Sequence, residues 1–162
     1  VLHVAFGPLQ ATRNPLLAVV MTLCVLLVGM LHVAAGRRQD VPATLRKGWV
    51  VAGAADAIPE GRALVVPVAG AEPVAIFRHD GRLSAVTNLC AHQNGPLGEG
   101  AVVDGCITCP WHGYQYQPAD GRAPPPYTER LATFRLKLEA GVVLLDPRPN
   151  PPGTHVEPLR VA

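Results

Sequence analysis

The chain has 162 residues, room for one compact domain plus an appendage, and a formal charge of only +2 with 16% charged residues. No Lys/Arg stripe is present to track a phosphate backbone, which argues against a nucleic-acid partner. Glycine (16) and proline (17) are abundant and aromatics are 5%, a composition that favours short strands and turns over long helices.

Residues 1–14 are too short for a domain. Val1 to Phe6 is apolar and meets Gly7-Pro8, as the end of an earlier helix would, and a first residue other than Met points to processing or to a longer parent chain. Residues 15–36 hold no Asp, Glu, Lys or Arg and are rich in Leu, Val, Met and Ala. About 20 helical residues cross a ~30 Å hydrocarbon layer, so this stretch is expected to be a transmembrane helix. Asn14-Pro15 marks its start and Gly36 its stop. Its length and the positions of Arg37 and Arg38, after rather than before it, argue against a signal peptide. The same arginines, with Arg46 and Lys47, predict that the chain beyond the span lies on the cytoplasmic side. His3 and His32 flank the span at opposite ends. They are candidate haem ligands by position alone, each needing a partner from another helix.

Residues 37–47 read as a linker. From Gly48 the pattern changes to strands: Trp49–Val51, Ala63–Val68, Val74–Arg78 and Leu83–Thr87 around a turn His79-Asp80-Gly81, then Phe134–Leu138 and Val142–Leu145 around a turn Glu139-Ala140-Gly141. The soluble part is therefore expected to be all-β, with antiparallel strands over 48–146. The tail 147–162 carries five prolines and reads as extended and poorly packed, with His155 a bystander.

A long glycine-rich stretch between the second and third strand pairs carries the chemistry. Cys90-Ala91-His92 is followed, sixteen residues on, by Cys109-Pro110-Trp111-His112. Each half offers one thiolate and one imidazole from a tight loop, a pattern that suits a centre with two unlike ends. A single zinc ion is the competing reading, but zinc sites pair their ligands at wider spacings than Cys-x-His. A nucleophilic Cys–His dyad would need one such pair, not two. Cys24 lies apart in the apolar run, and four unevenly placed cysteines do not make a disulfide scaffold.

These residues resemble the Rieske [2Fe–2S] family: all four ligands, both spacings within the loops and the separation between them agree, over roughly 48–146. The resemblance implies an all-β Rieske fold of antiparallel sheets with a cluster-binding subdomain, preceded here by the one transmembrane α-helix. It implies a [2Fe–2S] cluster held by Cys90 and Cys109 on one iron and His92 and His112 on the other. Around the ligands it implies supporting roles for Gly95, Pro110, Trp111, Gly113 and Tyr116, the last as a hydroxyl donor to a cysteine sulfur.

The sequence is more similar to the ferredoxin and oxygenase branch than to the cytochrome bc branch. The disulfide cysteines of the latter are replaced by Gly95 and Trp111, so Cys106 is expected as a buried free thiol beneath the second loop, and Tyr114 stands where a serine donor would. Losing that donor implies a potential in the lower part of the ~ −150 to +300 mV Rieske range.

The expected function is single-electron transfer by a membrane-anchored protein, in a bacterial inner membrane with its Rieske domain cytoplasmic. Donor and acceptor would be redox proteins or a membrane domain carrying haem b, of the ferric-reductase kind. The alternative is a ferredoxin-type component of an oxygenase or nitrite-reductase-like complex; a structural zinc module is a remote third. No 2-His-1-carboxylate set for a mononuclear iron is identified, so no independent substrate site is expected.

Overall fold

The computed structural model describes residues 15–37 and 44–161. They fall into two compact units, one holding the helix and the other the β domain. His3 and the rest of residues 1–14 lie outside the described residues, as does most of the expected linker.

Helix α1 runs Pro15–Arg37, and its segment Pro15–Ala34 is long and apolar enough to cross a membrane by length and composition, a test that an N-terminal signal sequence also passes. Leucine, valine and methionine side chains stand exposed all around it. His32 is exposed too, and no second histidine stands beside it among the described residues of this unit.

Among the described residues the β domain has twelve short strands. β1 (Leu45–Arg46), β2 (Trp49–Ala54), β10 (Leu136–Glu139) and β11 (Val142–Leu145) form one antiparallel sheet in the order β1-β2-β11-β10. β3 (Ala63–Val66), β4 (Val74–His79), β5 (Arg82–Thr87) and β12 (Leu159–Arg160) form a second in the order β12-β5-β4-β3, with β9 (Thr133–Phe134) also paired to β5. The third and smallest sheet is β6 (Ala101–Val103), β7 (Cys106–Thr108) and β8 (Gln115–Tyr116).

Four of the hairpins close on two-residue turns in which both residues have positive φ: Lys47-Gly48, Asp80-Gly81, Asp104-Gly105 and Ala140-Gly141. That is the turn whose twist matches the twist of paired strands, and glycine takes its second position because there a Cβ would be strained.

Strand β4 is the partition of the domain. Val74, Ala75, Ile76 and Phe77 are all buried, and alternate residues face opposite ways along a strand. Val74 and Ile76 join a core with Val50, Leu83, Val143 and Leu145. Ala75 and Phe77 join a second core with Val86, Leu97, Ile107, Leu131 and Tyr116, and this one contains Cys90 and Cys109. Each fully buried aliphatic side chain is worth about 1.5–3 kcal/mol. The two thiols therefore stand on the far side of a strand whose other face packs the main core.

Four expectations are corrected. The end of the linker, Leu45–Arg46, is a strand paired with Trp49–Val50. His79 belongs to β4, where its Nε2 lies 3.0 Å from Ser84 Oγ, and the turn is Asp80-Gly81 alone. Phe134 forms its own short strand with β5, apart from β10. The proline-rich tail is an integral part of the domain. Leu159 and Arg160 pair with β5, Val161 is buried, and the Thr154 carbonyl accepts from buried Thr133 Oγ1 at 2.8 Å. Prolines remove donors but leave carbonyls and apolar rings, so a proline-rich strip can still pack on a sheet edge.

Candidate functional site

The first loop leaves β5 and ends at β6; the second joins β7 to β8. The two repeat one backbone design. The Cys90 amide donates to the Gly95 carbonyl at 2.9 Å, and the Cys90 carbonyl accepts from Asn94 at 2.8 Å. In the second loop the Cys109 amide donates to the Tyr114 carbonyl at 2.8 Å, and its carbonyl accepts from Gly113 at 3.0 Å. In each the residue four beyond the cysteine has positive φ: Asn94 at 58°, Gly113 at 68°. These residue types tolerate that conformation best, which explains their positions. Asn88 ties down the first loop, its carbonyl accepting from Leu97 at 2.8 Å and its Oδ1 from Gly98 at 2.7 Å.

This design separates the two ligand types by depth. Cys90 and Cys109 are 1% and 2% exposed. His92 and His112 are exposed at the tip, their ring centroids 5.2 Å apart and their planes at 88°. The four expected ligands thus come together as a buried sulfur pair and an exposed nitrogen pair. All four cysteines of the chain are free.

The thiols are held in a polarised setting. Burial and the neighbouring Cys90 raise the Cys109 thiol pKa, while the Trp111 and His112 backbone amides act the other way. Tyr116 is fully buried, with Oη 3.3 Å from Cys90 Sγ. Burial and Cys90 hold its own pKa well above the usual phenol value, so it stays a donor.

Gly95 and Trp111 occupy one neighbourhood. A Cβ on Gly95 would lie 2.8 Å from Cys109 Sγ and 3.2 Å from the indole, so no larger residue fits there without movement. Trp111 is 58% exposed. Pro110 is exposed, and its ring approaches Gly100 at the base of the loops. Cys106 departs from the expectation of burial. It is half-buried at the start of β7, paired across to Val103 next to the Asp104-Gly105 turn.

A third segment, missed in the sequence, completes the site. Residues 124–129 (Pro-Pro-Pro-Tyr-Thr-Glu) follow β8 and bring Tyr127 and Glu129 against Tyr114. Tyr114 stacks flat on His92, centroids 4.9 Å apart and planes at 8°. The triple proline was the available signal, but it marks a rigid loop without saying what the loop touches.

Comparison with known proteins agrees with this geometry. A family model described as the Rieske [2Fe-2S] domain matches residues 48–135. The chain is 34% identical to the ferredoxin component of the naphthalene 1,2-dioxygenase system of Pseudomonas aeruginosa, over 60% of this chain and 94% of that protein. It is 37% identical to the ferredoxin subunit of anthranilate 1,2-dioxygenase of Burkholderia cepacia, over 59% of this chain and 88% of that protein. Among solved structures, a chain from the complex of reduced oxygenase and oxidized ferredoxin in carbazole 1,9a-dioxygenase superposes with a TM-score of 0.60 at 27% identity, covering 65% of this chain and 98% of that one. The residues present fit such a cluster: two buried thiols, two accessible imidazoles, a hydroxyl donor to sulfur, and a glycine where a side chain would crowd Cys109.

Proposed function

Because the chain belongs to the Rieske [2Fe–2S] family and carries that family's cluster as its cofactor, we propose that it is a ferredoxin-type one-electron carrier of an oxygenase-like system, with Cys90 and Cys109 on one iron and His92 and His112 on the other. The carrying observation is the sorting by depth: sulfur buried, imidazole at the surface. When bound, the cluster takes up and gives back one electron; the protein residues govern how easily and from where. Two thiolates in place of four leave the site less negative, which favours accepting the electron. Tyr116 adds a donor to a sulfur, which acts in the same direction. The exposed imidazole edges of His92 and His112 are where a donor or acceptor can come close.

The relatives favour this reading over a relay attached to a membrane haem domain, since two of them are named as ferredoxin components of dioxygenase systems. The partners would then be a reductase on one side and an oxygenase on the other. Dithionite-reduced protein is expected to hold two irons and two sulfides per chain and to give a rhombic EPR signal with average g well below that of all-cysteine clusters. Zinc without acid-labile sulfide would overturn the assignment.

α1 lies outside the part of the chain that matches the naphthalene dioxygenase ferredoxin component, 60% of this chain accounting for 94% of that protein. Its apolar circumference supports tethering at a membrane, with the domain on the cytoplasmic side set by Arg37 and Arg38. The expressed full chain is expected in the membrane fraction, resistant to high salt. Recovery as a soluble protein cleaved after the helix would show a signal sequence instead.

A further inference from the structure

Tyr114 follows His112 by two residues, yet its ring lies on the histidine of the other loop. The ring is parallel to His92 within 8° at 4.9 Å, and Tyr127 lies 4.9 Å from it, tilted at 56°. Its hydroxyl donates to Glu129 Oε2, and the same oxygen accepts from the Thr128 amide at 3.0 Å. Glu129 is half-buried, so its charge is partly removed from solvent.

We propose that Tyr114 and Glu129 form a positioning and potential-setting pair for His92: the ring fixes the plane of the imidazole, and the carboxylate lowers the reduction potential of the centre that His92 serves. This rests on the reading of His92 as a cluster ligand.

The positioning half follows from torsional freedom. An exposed histidine has a broad χ2 well, whereas a ligand must hold its lone pair within about 10–20° of the productive direction. A ring from the second loop, stacked at 8°, fixes that plane. The electrostatic half follows from charge. The Tyr114 hydroxyl and the Thr128 amide both donate to the Glu129 carboxylate, which places its charge one hydrogen bond behind the ring that lies on His92. A phenol that donates to a carboxylate gains electron density, and its negative ring face is the one turned to His92. Both terms favour the more positive, oxidised state. One electron added with no other change makes the centre one unit more negative beside a fixed negative charge, and that costs free energy.

The test is the midpoint potential of the cluster-loaded full chain at pH 7, followed by the EPR signal of the reduced form. At the wild-type midpoint, Glu129→Gln is expected to raise the reduced-to-oxidised ratio about tenfold, equivalent to 59 mV for a one-electron couple. Tyr114→Phe, which keeps the ring and loses the proton donor, is expected to raise it about threefold. Tyr114→Leu is expected to broaden the EPR signal where Tyr114→Phe does not, because only the former loses the stack. Glu139→Gln, a half-buried carboxylate on β10 paired with Lys137, is the control and should leave the ratio unchanged. An unshifted potential in Glu129→Gln with full iron and sulfide content overturns the proposal, as does an equal shift in Glu139→Gln. A wild-type chain without iron and sulfide would instead sink the cluster assignment itself.

Discussion

Cys109→Ser protein is expected to retain its β-sheet circular dichroism while holding roughly a tenth or less of the wild-type iron and acid-labile sulfide. The two halves of this expectation come from different places in the fold. Cys109 belongs to the core on one side of β4, whereas Val50, Leu83, Val143 and Leu145 fill the core on the other side. The sheets can therefore survive the change. The site cannot. A serine oxygen is a harder and shorter donor than thiolate sulfur, and it is not deprotonated at neutral pH. The Trp111 and His112 amides that face Cys109 are set for sulfur, as is the tight fit to Gly95. His112→Cys makes the complementary test. It keeps a ligand but exchanges nitrogen for sulfur, so any cluster that forms should drop toward the ~ −400 mV of all-thiolate centres. Cys109→Ser protein with full iron content would show that Cys109 is not a ligand.

Most of the ligand arrangement could be read from the chain because it is local. Cys-x-His and Cys-x-x-His are short spacings within single turns, and a loop that repeats one backbone pattern twice carries its own geometry. The Asp80-Gly81 hairpin was legible for the same reason, since Asp-Gly is the residue pair that such a turn demands. What stayed hidden depends on contacts distant in sequence. β4 is buried on both faces, so its apolar run marks a strand without saying that two cores meet across it. The strands Thr133–Phe134 and Leu159–Arg160 have two residues each, too few for any period to show. The approach of Glu129 to Tyr114 spans fifteen residues and a triple proline. The 147–162 tail looked unpacked because its composition resembles a linker, yet the sheet edge supplies partners that composition does not display.

That tail is held at its root by one carboxylate, and Asp146→Ala is expected to cost about 3 kcal/mol and to lower Tm by roughly 10–15 °C. Asp146 directly follows β11, and its side chain is 2% exposed. It accepts from Arg135 Nη2 at 2.8 Å, from Arg148 Nε at 2.9 Å, from Arg148 Nη2 at 3.0 Å and from the Arg148 amide at 3.2 Å. The two arginines are largely exposed, so neither bond alone would be worth much. The carboxylate is the buried member, and removing it strands the hydrogen bonds that start the C-terminal segment on its path along the sheet.

The same bonds fix the pH dependence. They hold the Asp146 pKa at about 2, with Arg148 the leading cause, against about 3.9 in an unfolded chain. A depressed folded value means that the stabilisation is fully present above the unfolded pKa and is lost as pH falls through the folded one. Its size is about 2–3 kcal/mol. Urea midpoints of wild-type and Asp146→Asn protein, both stripped of metal, should therefore differ at pH 6 and converge as pH falls from 4 toward 2. A gap that stays constant across that range would mean that Asp146 contributes through packing and not through its charge.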